Sequence, residues 1–360
     1  MRVIELAHAV AGPTATQILA DYGAEVIKIE RPQGGDIFRE TPGMGPSFFL
    51  AVNRGKRSVA LDIATRKGLK LFYDLLKVSD VLVENLSPGT AERLGVTPAR
   101  VRAANSNLVF CKIESFGKGR MENVPAFDPV LQAAVGIMST TGIPPNSYAR
   151  AGVSMVDMST GMQAAIAILE MLLSRRKGGG LIEVPLYDSA AYYMSYWVTR
   201  FGLTGKDTEP LGSAHIFGAP YNLFKTKDGL AYIAVAGQKD WVAFCNSLGF
   251  LDLLRNGHYS SNSLRVENKK RLEDELSKGL RSLSTESVEK ALLSARVPFS
   301  KFNTAKSLIV DPQFRARELM KYYSFDGKPF GTIVSPAVVN GKRLYAREDP
   351  PKLGEHTVQV

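Results

Sequence analysis

The sequence predicts an α/β protein: a Rossmann-like, doubly wound parallel sheet in a large domain, followed by a smaller α+β domain. Three observations predict it. Short apolar runs alternate with helical patterns through the first third of the chain, and glycine-containing turns fall between them. Past about Leu203 the texture changes to a hairpin followed by charged helices.

Arg2–Leu6 is a short apolar run and reads as the first strand. Ala11-Gly12-Pro13 breaks it. From Thr14 to Tyr22, Ala15, Ile18, Leu19 and Tyr22 recur at helical spacing, and Gly23 is a natural C-terminal stop. Glu25–Ile29 is the second strand. A strand, a short helix and a strand over about 30 residues make a βαβ unit, which requires a parallel sheet. The pattern repeats with strand Ser58–Asp62, a helix over Leu69–Leu76 and strand Asp80–Glu84. A Pro88-Gly89 turn, a helical stretch and strand Asn107–Ile113 follow. A long helix runs from about Met158 to Lys177, with Gly178–Gly180 as its stop rather than a phosphate loop, and then strand Leu181–Val184. The Gly-rich dinucleotide fingerprint is absent after the first strand, which argues against a nicotinamide cofactor.

Gly202–Pro210 is polar and reads as a linker, placing the large domain at 1–203 and the small one from 204. Pro220–Gly229 and Leu230–Val235 form a hairpin turning at Asp228-Gly229. Helical patterns follow over Lys239–Leu248 and Asn268–Leu293.

Composition narrows the function classes. With 45% hydrophobic and 22% charged residues over 360 positions, the chain can bury a core without disulfides or metals. Cys111 and Cys245 sit far apart in apolar stretches and read as reduced core residues, too few for a zinc site. The N-terminus lacks a basic and apolar leader pattern, and no apolar run reaches the ~20 residues of a span. A cytoplasmic protein without membrane association is expected. The net charge of +10 is spread without blocks of like sign. A solvated basic surface is the first reading, a pocket for a phosphorylated molecule the second and a nucleic-acid groove the third.

Several strings carry more specific information. Ala11-Gly-Pro13 leads to Asp21-Tyr-Gly-Ala-Glu-Val-Ile-Lys-Ile-Glu-Arg-Pro32, then Asn53-Arg-Gly-Lys-Arg-Ser58 and Leu61-Asp62. Val83-Glu-Asn-Leu-Ser-Pro-Gly89, Glu92-Arg-Leu-Gly95 and Phe127-Asp-Pro-Val-Leu-Gln-Ala133 come next. Asp157-Met-Ser-Thr-Gly161, Pro220-Tyr with Asp228-Gly229, and Leu353-Gly-Glu-His-Thr357 complete the set. In this order, over nearly the whole chain, they resemble the family III CoA transferases, which include formyl-CoA and carnitine CoA transferases. The α-methylacyl-CoA racemases share that fold.

On composition alone Asp157 is an N-cap between Val153–Val156 and a helix, a position that favours the ionised carboxylate. The resemblance implies that Asp157 is instead the nucleophile, attacking an acyl-CoA to give a mixed anhydride and then an aspartyl-CoA thioester. No prosthetic group or metal is implied; coenzyme A enters as the acyl-CoA substrate, with a small carboxylic acid as acceptor. Arg31 and Arg93 match the family's CoA-contacting arginines. Ala9, Val10, Ala11, Leu61, Asn85, Leu86 and Phe127 match its backbone and packing contacts. From the residues alone, each arginine is a surface ion-pair residue and Asn85 a strand-end cap. Lys56 and Arg57 are further phosphate candidates on spacing.

The sequence also departs from its relatives. Racemases of this fold carry Gly-His-Asp where Ala126-Phe127-Asp128 stands, and Phe127 cannot hold a proton. Val10 replaces a substrate-contacting glutamine of formyl-CoA transferases, and their glycine run is missing near Ser213–Ala219. A larger or less polar acyl group than formyl or oxalyl is expected. The resemblance further implies a homodimer of interlocked rings in which 304–360 returns to complete the large domain. A racemase or epimerase is the second reading, and a non-enzymatic polyanion-binding protein the third.

Overall fold

Val3, Ile4, Val26, Ile27, Val81, Leu82 and Val83 are all essentially inaccessible to solvent. Continuous apolar strands of this kind belong to a parallel sheet covered on both faces. The computed structural model, which describes residues 1–145, 147–174 and 178–360, contains that sheet. Its strands are β1 (Arg2–Leu6), β2 (Glu25–Glu30), β3 (Arg57–Ala60), β4 (Val81–Glu84), β5 (Val109–Glu114) and β6 (Gly180–Pro185). They lie in the order β3-β2-β1-β4-β5-β6, and every pairing is parallel. Ile4 stands opposite Ile27 on one side and Leu82 on the other. The order reverses between β1 and β4, so the chain leaves those two strands in opposite directions. A crevice opens beyond Leu6 and Glu84, where open sheets bind ligands.

The sheet belongs to one of two compact units, comprising residues 1–139, 149–208 and 315–360. Its first helix, α1 (Ala11–Asp21), begins three residues before the expected Thr14. Pro13 is no obstacle, because the N–H it lacks would have no intrahelical partner in the first helical turn. Gly12 is required: a Cβ there would lie 2.5 Å from the Ala7 Cβ and 3.1 Å from the Asn85 side chain. Helix α2 (Arg66–Leu76) starts at Thr65, whose hydroxyl accepts from the Gly68 N–H. Helix α3 (Asp128–Ala134) precedes the long α4 (Met155–Leu173). The expected end of α4 at Lys177 falls outside the described residues. Gly161 lets α4 ride closely on α1, since a Cβ would come within 2.7 Å of the Ala11 carbonyl oxygen.

By length and composition α4 could cross a membrane, the one such helix among the described residues, although Asp157 and Glu170 leave it no uninterrupted apolar run of that length. Val156, Ala164, Ala165 and Ile168 instead join it to the hydrophobic core. The C-terminal turn covers the outer edge of β3. His356 N–H donates to the Ser58 carbonyl at 2.9 Å, and Ala60 N–H donates to Thr357 Oγ1 at 2.9 Å. That turn protects an edge strand that would otherwise expose unpaired backbone.

The second unit comprises residues 140–148 and 209–314. Tyr221–Lys225 and Leu230–Ala234 form the expected antiparallel hairpin, extended by Phe299–Lys301. Trp241, Phe244, Tyr259, Leu272, Leu276, Val288 and Leu292 pack its core. The helix expected over Asn268–Leu293 is two helices, Lys269–Leu280 and Thr285–Ser294. Ser284 causes the break, because its hydroxyl caps the second helix by accepting from Ser287 N–H. Cys111 and Cys245 are both buried and free.

Candidate active site

The crevice at the sheet reversal is a cavity of about 380 Å³ lined by Leu6, Ala7, His8, Arg31, Leu61, Leu86, Ser87 and Thr90, among others. Arg31, at the end of β2, is exposed at its rim. Leu61 and Leu86 supply apolar walls. Asn85 fixes the loop after β1: its Oδ1 accepts from His8 N–H at 2.8 Å and its Nδ2 donates to the His8 carbonyl at 2.9 Å. Arg93 is exposed and does not line the cavity, but its Nη2 donates to the Oγ1 of Thr90, which does. Burial holds the His8 imidazole below its ordinary range.

Ala9 has a left-handed backbone, φ 65°, uncommon for a residue with a Cβ. Its N–H donates to Asp36 Oδ1 at 3.2 Å. Val10 and Ala11 are buried at the start of α1. This strained turn is held from beneath by four buried charges. Lys28 Nζ lies 2.6 Å from Glu5 Oε1 and 2.8 Å from Asp36 Oδ2, and donates to the Ala7 carbonyl at 2.9 Å. Lys56 Nζ lies 2.8 Å from Glu5 Oε2 and donates to the Pro13 carbonyl at 2.9 Å. Burial alone would raise Glu5, but the two lysines outweigh it and hold the carboxyl below its usual range. Burial dominates at Lys56 and pushes it down to about 8. Lys56 is therefore not a phosphate contact: its ammonium is wholly inside. Arg57 is half-exposed and pairs with Glu25 at 3.1 Å. A wider cleft of about 760 Å³, walled by Arg57, Asp349 and Lys352, contains no matched CoA contact, and Asp157 lines neither this cleft nor the crevice at the sheet reversal.

Asp157 stands in the first turn of α4, three residues after its N-cap, Ser154. The N-cap reading is therefore wrong, and its consequence with it. Burial first, and the charge of Asp128 second, push the Asp157 carboxyl up to about 7. The cap is supplied by Asp128, whose Oδ2 accepts from Val156 N–H at 2.7 Å and Asp157 N–H at 3.2 Å. No hydrogen bond lowers the Asp157 carboxyl among the described residues. Phe127, the residue before α3, is 65% exposed and touches none of the cavity above.

The raised Asp157 has a consequence for stability. The folded chain binds this proton more tightly than the unfolded one, for which the pKa is about 3.9. Stability therefore falls as pH rises from about 4 toward about 7. Asp157→Asn, which cannot ionise, is expected to resist urea better than wild type at pH 8, with the difference shrinking toward pH 4.5. A difference independent of pH would contradict the raised carboxyl.

Sequence reasoning missed Asp128, Gln132, Glu5, Lys28 and Asp36. Asp128-Pro129 with Gln132 one turn on was a usable signal, because Pro near a helix start fixes the helix entry. Nothing local marks Glu5 or Lys28, which alternate with apolar residues as surface charges do.

The chain matches the sequence model of CoA-transferase family III over residues 1–357. It is 32% identical over 377 residues to a succinate–glutarate CoA-transferase of Agrobacterium fabrum, covering 100% of this chain and 94% of that one. It is 32% identical over 371 residues to human succinyl-CoA:glutarate CoA-transferase, covering 100% and 84%. A crystal structure of a CaiB/BaiF family protein from Brucella suis superimposes with a TM-score of 0.89 at 30% identity, covering 100% and 97%. The protein therefore belongs to CoA-transferase family III and is an enzyme of the CoA-transferase type.

Proposed function

We propose that the protein moves CoA from an acyl-CoA donor to a small carboxylic acid through covalent intermediates on Asp157. The observation that carries this reading is a carboxyl on a helix that another residue caps, with no hydrogen bond among the described residues to engage it. In the first step the Asp157 carboxylate attacks the thioester carbonyl and CoA leaves as thiolate, forming a mixed anhydride. The thiolate then attacks the Asp157 carbonyl, releasing the donor acid and leaving an aspartyl-CoA thioester. The acceptor carboxylate attacks that thioester, the thiolate leaves again, and its attack on the acceptor carbonyl regenerates Asp157. The thioester free energy is conserved at each exchange, so the cycle runs near equilibrium without ATP.

The cavity at the β1/β4 reversal is the proposed seat of the CoA nucleotide. Arg31 and Arg93 would meet its phosphates, with Leu61, Leu86 and the Ala9–Ala11 turn along the apolar arm. Residues 1–203 with 304–360 are read as the CoA-binding, Rossmann-like domain and 204–303 as the smaller one. An interlocked homodimer is part of the proposal. Tyr192, Tyr196, Phe201 and Leu203 support it, being large apolar side chains exposed on consecutive helices. Gel filtration returning a monomer would count against that part. The racemase reading is the weaker one, because Phe127 offers no second base.

The test is peptide mass spectrometry after incubation with succinyl-, glutaryl- and acetyl-CoA. A CoA-sized adduct on the Asp157 peptide, released by a carboxylic acid and absent from Asp157→Ala, is expected. Deuterium entering an acyl α-carbon without any adduct would favour the racemase instead.

A further inference from the structure

We propose that Asp128 is a positioning residue for the nucleophile, supplying from a separate helix the cap that α4 lacks and so orienting Asp157. The inference rests on Asp157 being the nucleophile. Helix α4 begins at Ser154, whose side chain makes no capping hydrogen bond. Its first amides would be orphaned without a partner from elsewhere. Asp128, 3% exposed, fills that role across 28 residues of chain. One of its oxygens accepts from two successive amides, Val156 and Asp157, the second being the nucleophile's own. Its other oxygen accepts from Gln132 Nε2, and Gln132 Oε1 accepts from Ala151 N–H at 2.8 Å. Asp128 and Gln132 therefore brace both the first turn of α4 and the segment leading into it.

Two effects on the chemistry follow. Fixing the Asp157 backbone narrows the arc over which its carboxyl can approach a thioester carbonyl. A misplacement of about 1 Å at a reacting group can cost on the order of 10²-fold in rate. The second effect is electrostatic. The elements packed against α4 are α1, α3, β5, β6 and the Leu186–Tyr193 helix. They carry Asp21, Asp128, Cys111, Lys112, Glu114, Glu183, Asp188 and three tyrosines. Among the described residues, Asp128 is the group whose charge acts on Asp157. A carboxylate kept more basic is also the better nucleophile, since oxygen basicity and nucleophilicity rise together.

Two variants separate the effects. Asp128→Ala removes the cap and is expected to lower kcat by about 10²-fold, with a smaller change in KM for the acyl-CoA. Asp128→Asn combined with Gln132→Glu keeps every hydrogen bond. The asparagine oxygen faces the two amides, its NH2 donates to the carboxylate introduced at position 132, and the negative charge moves off the group that holds the Asp157 amide to the far side of the 128–132 hydrogen bond. This double variant is expected to fold by circular dichroism, to form the Asp157 adduct, and to show the acid limb of kcat/KM shifted down by about one pH unit. A wild type that forms the adduct, with an unshifted double variant and undiminished Asp128→Ala, overturns this inference alone. A wild type that never carries CoA on the Asp157 peptide overturns the nucleophile reading, and this inference with it.

Discussion

Replacing Asp157 by alanine is expected to lower kcat for CoA transfer by roughly 10⁴-fold or more, the scale reached when a covalent nucleophile is removed. Among the described residues, the group whose charge acts on Asp157 is Asp128, and it is poorly placed to take over. Asp128 has both oxygens engaged, one by two backbone amides and the other by Gln132. Its carboxylate could turn toward substrate only by uncapping α4. The loss should fall on kcat, because the CoA nucleotide is proposed to sit in the crevice bounded by Arg31, Leu61 and Leu86, built by other residues. Initial rates with succinyl-CoA and a range of carboxylic acids, together with calorimetric binding of free CoA, would separate the two quantities. A variant keeping about a tenth of wild-type kcat would remove Asp157 from the reaction path. The same measurement across pH should show wild-type activity rising through about 7, where the buried carboxyl gives up its proton.

Glu5→Gln is expected to destabilise the large unit by about 3–5 kcal/mol, the usual cost of removing one partner from a buried ion pair. Glu5 is the shared counter-ion of two lysines, and the side chains of all three are wholly buried. Its Oε2 also accepts from Thr16 Oγ1 at 2.6 Å. The substitution leaves Lys28 with Asp36 and the Ala7 carbonyl. It leaves Lys56 with the Pro13 carbonyl and Asn53 Oδ1, neither of them charged. An uncompensated ammonium in the interior must deprotonate or drag in water, and either weakens the fold. The urea midpoint should drop accordingly at pH 7. Because the lysines hold Glu5 below its usual range, its contribution is present above the unfolded pKa of about 4.3. It disappears as pH falls through the lower folded value, so the gap between wild type and Glu5→Gln should close in acid. A pH-independent gap would mean that lost shape rather than lost charge is responsible. CoA affinity should fall as well, since Lys28, Lys56 and Asp36 together anchor the turn from Ala7 to Pro13.

What the sequence determined by itself was local in origin. The strand–helix–strand repeat, the stop at Gly23 with its φ of 93°, the turn at Gly89 with φ 71° and the Asp228-Gly229 hairpin were all legible. Each follows from side-chain period or backbone freedom over a few residues, which do not depend on what the chain later packs against. The ordered motifs pointed to the family, and Arg31, Leu61 and Leu86, which line the cavity, were legible only through that resemblance.

Tertiary structure decided the meaning of the charges. Lys56 looked like a phosphate ligand, and nothing local set Lys28 in β2 apart. Because β2 lies directly beside β1, Lys28 meets Glu5 across the two strands, while Lys56 reaches the same carboxylate from the turn before β3. Asp157 looked like its own helix's cap until Asp128, 29 residues earlier, took the amides. A charged side chain's role depends on which partner the fold brings within about 3 Å and how much water remains there. Neither quantity is encoded in any window of neighbouring residues.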